Sequence, residues 1–598
     1  MKTSPSIVRI TALRDHLVSF GVDGFVVPRG DEHQGEFVAP YAERLAWLTN
    51  FTGSAGLAVV LKASAAVFVD GRYTLQAREQ VDGELYRRYH IAEKPPKDWL
   101  RDELKCGEKL GFDPHLHTPE DLELFAEVCE GVGATLVPLP ENPIDTIWED
   151  QPARPAKPLS IYPNDRAGWS SREKRKLVAD KIKGQGLDAF FLSAPESICW
   201  LFNVRGCDVN YAPLALAYAL VFSDAKASLF VDPAKISSEI KSHLDAEVSM
   251  LPYDGLGQAL DDLDLGKRVV GADKTTASKW AVDRIEAANL TVRLLEDPCS
   301  KPKARKTQVE VEGVRAAHLR DGAALTRFLA WLSSEAPKGE LTEVTAANQL
   351  SAFRAENDLY LGPSFPTISG AGKNGAIVHY QATKESAAFL KPKTIYLVDS
   401  GGQYLDGTTD VTRTVAIGEP TAEQKRRFTL VLKGHIALAN VRFIPGTTGN
   451  QLDVLARKPL WQEGLDYDHG TGHGVGTYLG VHEGPQRIGK GYNATALEPG
   501  MVVSNEPGYY KAGEYGIRIE NLVVVVECKA DRNGERALLE FETLTLAPID
   551  LALVDWEVLT KSELLWLNSY HGRVREMLTP LVDAETSAWL NIATATVS

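Results

Sequence analysis

The chain has 598 residues, a formal net charge of −15, 44% hydrophobic and 24% charged residues. That length exceeds what one hydrophobic core serves, and the composition is that of a globular protein rather than a disordered one. The acidity argues against a nucleic-acid partner, which would need a basic face for phosphates, and the longest nearly apolar run, Tyr211 to Phe222, is well short of a membrane span.

Met1-Lys-Thr-Ser-Pro-Ser-Ile leads straight into a mixed-polarity helical pattern. With no apolar segment there, no secretion signal is read. The cysteines at 106, 129, 199, 207, 299 and 528 are scattered without a CxxC pair. That fits a reducing, cytoplasmic setting better than a disulfide framework.

Residues 7–20 have helical periodicity, and Gly21-Val-Asp-Gly-Phe-Val-Val27 then gives a helix stop and a buried strand. After a second helical stretch, 172–183, the phrase returns as Gly186-Leu-Asp-Ala-Phe-Phe-Leu192. Trp47-Leu-Thr-Asn-Phe-Thr-Gly53 is answered by Trp200-Leu-Phe-Asn-Val-Arg-Gly206, and Phe68-Val-Asp70 by Phe230-Val-Asp232. Three matched phrases in one order indicate two copies of one α/β unit. Between its first two phrases the first copy has twelve extra residues, in the region of Asp31-Glu-His-Gln-Gly-Glu36. After the third phrase it has Gly71-Arg72-Tyr73 where the second has Pro233-Ala-Lys235. Gln151–Pro158 reads as a Pro-rich linker and Lys301–Lys306 as a basic one. A long helix with an apolar stripe at Val311, Val314, Leu325, Phe328, Leu329 and Leu332 follows.

The chemistry concentrates between Asp399 and Glu520. Thr394–Val398 is a β-rich run ending at Asp399, Asp406-Gly407 is a turn signal, and Val411–Ile417 is the return strand, so Asp399 and Asp410 face each other across a hairpin. His469 and His473 are helically spaced, but four interleaved glycines exclude a helix and predict a loop of close backbone approach. Met501–Glu506 reads as a strand carrying a carboxylate, and 516–526 as one more strand that points Arg518 and Glu520 to the same face. A carboxylate so deep in an apolar strand needs a partner, either Arg518 or a metal. Four gathered carboxylates would repel strongly, and two divalent ions would leave the site neutral. Oxygen-rich ligation with a single imidazole favours manganese over structural zinc. Gly370-Ala-Gly-Lys-Asn-Gly375 has dinucleotide-motif spacing, but the β-like 376–380 follows where a helix is required, so it is set aside.

These motifs resemble the metallopeptidases of the pita-bread fold, and among them the three-domain Xaa-Pro aminopeptidases. The likeness extends from Asp31-Glu-His-Gln and Asp70-Gly-Arg-Tyr73 to the tail Trp566-Leu-Asn-Ser-Tyr-His571. It implies two related creatinase-like α/β domains, 1–155 and 156–306, and a catalytic α+β pita-bread domain, 307–598. It implies Asp399, Asp410, His473, Glu506 and Glu520 as ligands of two divalent ions, with manganese ahead of zinc or cobalt. His379, His482 and Glu506 would handle protons and steady the tetrahedral intermediate. Arg72, His469 and Arg518 would stand on the substrate side, Arg518 also bracing the metal carboxylates. The implied activity is removal of the first residue from peptides with proline second, by a hydroxide held between the ions. The implied enzyme is a cytoplasmic homodimer with neither nucleic-acid nor membrane partners. The competing readings are a prolidase limited to Xaa-Pro dipeptides and a metal-free peptide- or partner-binding protein on the same fold.

Overall fold

Helix Pro5–Ser19 buries Ile10, Leu13 and Leu17 on one stripe and gives way to Gly21, whose φ of +66° suits glycine. Strand Gly24–Pro28 follows. The second copy repeats this with helix Ser171–Gly184, Gly186 at φ +70° and strand Ala189–Leu192. The two tryptophan phrases are short helices, Arg44–Thr49 and Pro195–Phe202, each ended by a left-handed asparagine, Asn50 and Asn203. The structure, a computed structural model, describes residues 5–263, 269–528 and 536–598; the first four residues of the opening phrase lie outside these. The chain forms two units, Met1–Asn164 with Trp169–Ser300, and Asp165–Gly168 with Lys301–Ser598.

In the first unit each repeat builds a six-stranded sheet of the same topology. The first runs Arg87–His90, Ala65–Val69, Leu57–Leu61, Gly24–Pro28, Lys109–Phe112, Thr135–Pro138. The second runs Val248–Leu251, Ala227–Phe230, Tyr218–Phe222, Ala189–Leu192, Val269–Asp273, Thr291–Leu295. In both, the central three strands pair antiparallel and the flanking ones parallel. Matching order and sense bear out the duplication read from the sequence.

The insertion peculiar to the first copy is a staple between the repeats. Asp31, Glu32 and His33 are buried. The His33 ring stacks on Tyr218 at 4.4 Å, and its Nδ1 donates to the Ser193 carbonyl at 2.8 Å. Its Nε2 lies 2.9 Å from the Tyr253 hydroxyl. Glu32 accepts from Tyr41 at 2.7 Å and Tyr253 at 3.1 Å. Burial opposes its charge, but His33, Tyr41 and Arg154 hold the carboxyl down at about 2.

In the second unit, helix Gln308–Glu335 starts from a Thr307–Glu310 capping box and buries the predicted stripe. A three-stranded sheet joins Ile368–Ala371, Thr394–Ser400 and Val411–Ile417. A six-stranded sheet runs Arg442–Phe443, Leu539–Thr543, Asn521–Glu527, Val502–Asn505, Gly472–Gly474, Glu483–Ile488. Among the described residues no helix is long and apolar enough to cross a membrane.

Four local expectations are corrected. Residues 516–526 are not one strand: Tyr515–Arg518 pairs with Gly508–Lys511, and Asn521–Glu527 pairs in the six-stranded sheet, so the chain changes sheets at Ile519–Glu520. The His loop contains a strand, Gly472–Gly474, because glycines there admit backbone a side chain would exclude; a Cβ at Gly472 would lie 2.1 Å from the Ser504 carbonyl. Residues 376–380, expected to be β-like, close a 3-10 turn, Gly372–Ala376, and continue as turn. The basic segment 301–306 is not a solvated linker: Ser300–Ala304 is a short helix, and Lys303 and Lys306 are buried.

Candidate metal centre

Strand pairing sets the first two carboxylates. Asp399 stands opposite Thr412, and Asp410 lies two positions before Thr412, so period-two alternation turns all three side chains to one face. The crossover between sheets delivers Glu520 to that face: its backbone N–H donates to the Thr412 carbonyl at 3.1 Å, and its carboxylate accepts from the Thr412 hydroxyl at 2.7 Å. Buried Arg413 fixes the crossover from behind, donating to the carbonyls of Glu520, at 2.7 Å, and Ala547 and to the Tyr570 hydroxyl. The tail residue Tyr570 thereby supports the crossover that carries Glu520.

His473 and Glu506 come from adjacent strands. The Ser504 hydroxyl joins them, accepting from the His473 N–H at 2.9 Å and donating to Glu506 Oε1 at 3.1 Å. His473 Nδ1 lies 2.9 Å from the Gly474 carbonyl, which can only accept, so Nδ1 carries the hydrogen. Nε2 then faces Asp410 Oδ2 at 3.4 Å and Glu506 Oε1 at 3.6 Å, free to carry a proton between them or to meet a metal ion.

The donor set fits two divalent cations. Ligand atoms of Asp399, Asp410 and Glu520 lie within 4.8 Å of one another, as do those of His473, Glu506 and Glu520, and those of Asp410, His473 and His482. Asp399 Oδ1 and Asp410 Oδ1 are buried with no hydrogen-bond partner among the described residues, a costly state unless a cation meets them. Burial pushes the Asp399 carboxyl up to about 6, with Asp410 and Glu506 repelling and Arg518 opposing. Burial and three neighbouring carboxylates raise Glu520 far above the usual range, and burial raises Glu506 as well. Burial works against a His473 charge, yet Asp410 and Glu506 lift the imidazole to about 9.

The protons this cluster holds give a pH test. Asp399 titrates near 6 when folded and near about 4 when unfolded, so its contribution to stability is lost as pH rises through 6. His473 contributes fully below its unfolded value of about 6.5, and that contribution is lost through about 9. Divalent ions would replace both protons. Between about pH 6.5 and pH 9, where the His473 proton is lost, the melting temperature of chelator-treated protein is therefore expected to fall more steeply than that of metal-loaded protein. Calorimetry at matched ionic strength checks this, and parallel slopes would contradict it.

The remaining predicted residues separate. Arg518, 2% exposed, spends its guanidinium on Asp399 Oδ2 at 2.6 Å, Thr412 Oγ1 at 3.1 Å and the Tyr510 hydroxyl at 2.6 Å. Tyr510 lies 2.8 Å from His469 Nε2. His469 Nδ1 is 3.8 Å from Glu506, so His469 borders the carboxylates through one tyrosine. His482 meets His473 edge-on at 4.3 Å. His379 is half-buried in the turn before Tyr380, which Glu343 and Asn374 anchor. Arg72 belongs to the first unit, where it forks onto Asp70 at 3.0 and 2.7 Å. Sequence reasoning missed Thr412, Ser504 and Tyr510. The first two stand two positions from a ligand on the same strand face, a period-two signal that could have found them.

Comparison with known proteins covers nearly the whole chain. Residues 312–527 match metallopeptidase family M24, and 537–597 match the C-terminal region of that peptidase. Residues 9–147 and 150–310 each match a creatinase/prolidase N-terminal domain. A probable Xaa-Pro aminopeptidase P of Paracoccidioides brasiliensis is 40% identical over 594 residues, 96% of each chain. One of Aspergillus clavatus is 39% identical over all of this chain and 94% of its own. Among solved structures, an X-prolyl aminopeptidase of Caenorhabditis elegans, described as cytosolic with a di-nuclear active site, superposes with a TM-score of 0.95 at 32% identity over 100% of both chains.

Proposed function

This chain belongs to metallopeptidase family M24 and is a metal-dependent aminopeptidase, and we propose that it releases the first residue from peptides whose second residue is proline. The observation that carries the metal-dependent reading is the gathering of five ligand-type side chains, two of them with carboxylate oxygens that have no hydrogen-bond partner among the described residues; similarity to the Xaa-Pro aminopeptidases supports the proline preference. Asp399, Asp410, His473, Glu506 and Glu520 would hold two divalent ions, which would supply an activated water and positive charge opposite the developing oxyanion. Glu506, raised by burial, is suited to take a proton from that water. His379 and His482 are the proposed donors to the scissile carbonyl and the leaving nitrogen. Arg518 holds Asp399 in place and offsets its charge. Manganese is the proposed ion, on the strength of hard oxygen ligands.

A Xaa-Pro bond lacks an N–H and has a ring-fixed backbone, so an enzyme built for it needs no donor-binding strand at that position. The cytosolic description of the C. elegans relative supports a cytoplasmic location, and we expect a homodimer with the domain division 1–155, 156–306 and 307–598. Prolidase is the alternative. Full-length similarity to the aminopeptidases favours longer peptides. Rates on Xaa-Pro and on Xaa-Pro-Yaa decide between them: preference for the tripeptide is expected, and cleavage of the dipeptide alone would overturn the reading.

Arg72 is proposed as a substrate-side arginine from the asymmetry of the repeats. In the second copy the corresponding turn closes as a 3-10 helix whose Lys235 is buried against Asp208 at 2.5 Å. In the first it presents a guanidinium that Asp70 pre-orients. Arg72→Ala should lower turnover or raise KM on peptides longer than two residues, with metal content and Tm unchanged. An unaltered kcat/KM on such peptides would leave Arg72 as a local ion pair.

A further inference from the structure

We propose that Lys303 is a positioning residue for His482, acting through Glu483. This inference rests on the proposed role of His482. The loop that carries His482 leaves strand Gly472–Gly474 and returns as strand Glu483–Ile488. Its turn is closed by the Gly476 N–H on the Gly480 carbonyl at 2.9 Å and steadied by Gln403, which donates to the Leu479 carbonyl at 2.7 Å. Beneath it lies the Glu483 carboxylate. One oxygen accepts from the Gly480 N–H at 3.1 Å, and the other is paired with the Lys303 ammonium. Both side chains are buried, at 6% and 2% exposure. The fit leaves no slack: a Cβ at Gly476 would lie 2.5 Å from Glu483 Oε1, and one at Gly474 would lie 2.1 Å from the Glu483 carbonyl.

The lysine is itself fixed. The segment after its helix runs beside the strand that leads to Glu506, through an Arg305–Met501 bridge and the Lys306 N–H on the Gly500 carbonyl at 3.0 Å. Lys306 is also buried, and its ammonium has no hydrogen-bond partner among the described residues. Burial pulls it down to about 8 against the attraction of Glu483. Two buried ammonium groups thus stand close to the Glu483 carboxylate. Without Lys303, the carboxylate would lose its paired cation in a dry site, and the loop that rests on it would shift.

The test is a double-mutant cycle on the manganese-loaded full chain, with an Xaa-Pro-Yaa tripeptide. Lys303→Met should lower kcat on the order of tenfold to a hundredfold, the cost of a small misplacement, with KM and bound metal unchanged. Lys303→Arg should restore much of the loss. Combined with His482→Ala, Lys303→Met should add no further loss, because its effect passes through that imidazole. Losses that multiply, or bound metal that falls with Lys303→Met, would overturn the proposal. A wild-type rate in His482→Ala alone would refute the role of His482 and the proposal with it, whereas multiplying losses would leave that role standing. Should Lys303→Met not fold, Glu483→Gln, which keeps the shape and removes the charge, completes the same cycle.

Discussion

Asp410→Asn is expected to abolish hydrolysis, lowering kcat by roughly three orders of magnitude or more. Weakening a residue behind a metal ligand costs about 10- to 100-fold in affinity or activity, and losing a ligand costs more. Asp410 faces His473 Nε2 at 3.4 Å, and its Oδ1 is buried with no hydrogen-bond partner among the described residues. Its ligand atoms belong both to the group with Asp399 and Glu520 and to the group with His473 and His482. An amide there offers one neutral oxygen and an N–H that repels a cation, so bound metal should fall as well. The fold should persist. Asp410 repels Asp399 and Glu520 and raises both, so removing its charge relieves the metal-free cluster. The expected signature is lost activity, reduced metal and a metal-free Tm no lower than that of the parent. Wild-type turnover in Asp410→Asn would refute the dinuclear reading.

His379→Ala is expected to cut kcat about a hundredfold or more, as loss of an acid–base group or an oxyanion donor does, with metal content unchanged. The half-buried turn that holds His379 is braced by Tyr380, whose hydroxyl lies 3.0 Å from both Glu343 and Asn374. The alanine variant should therefore keep its backbone. Metal analysis beside steady-state kinetics makes the distinction: loss of metal together with activity would move His379 into the coordination sphere.

The parts of the centre that were legible in the sequence share one property: their signal is local. Asp399 and Asp410 each adjoin a β-rich run, and the glycines around His473 announce close backbone approach by their density alone. The repeated phrases likewise indicated two copies of one α/β unit, because helix stop and strand are each written within a few residues. What was hidden depends on contacts distant in sequence. The break at Ile519–Glu520 is hidden because the alternation of 516–521 and the apolar run after it read together as one strand, whereas two different sheets claim the two halves. The segment 301–306 looked like a solvated linker because its counter-charge, Glu483, stands far along the chain. The Asp31–His33 insertion gave no sign that its partners, Ser193, Tyr218 and Tyr253, belong to the other repeat.

Five side chains of this chain are proposed to hold the two divalent ions on which hydrolysis depends. The most direct measurement is titration of chelator-stripped protein with manganese, following bound metal per chain and cleavage of an Xaa-Pro-Yaa peptide in the same samples. No cleavage is expected without metal, with saturation at two ions per chain and activity that rises with their binding. Full activity in stripped protein, or saturation without any bound divalent ion, would contradict it.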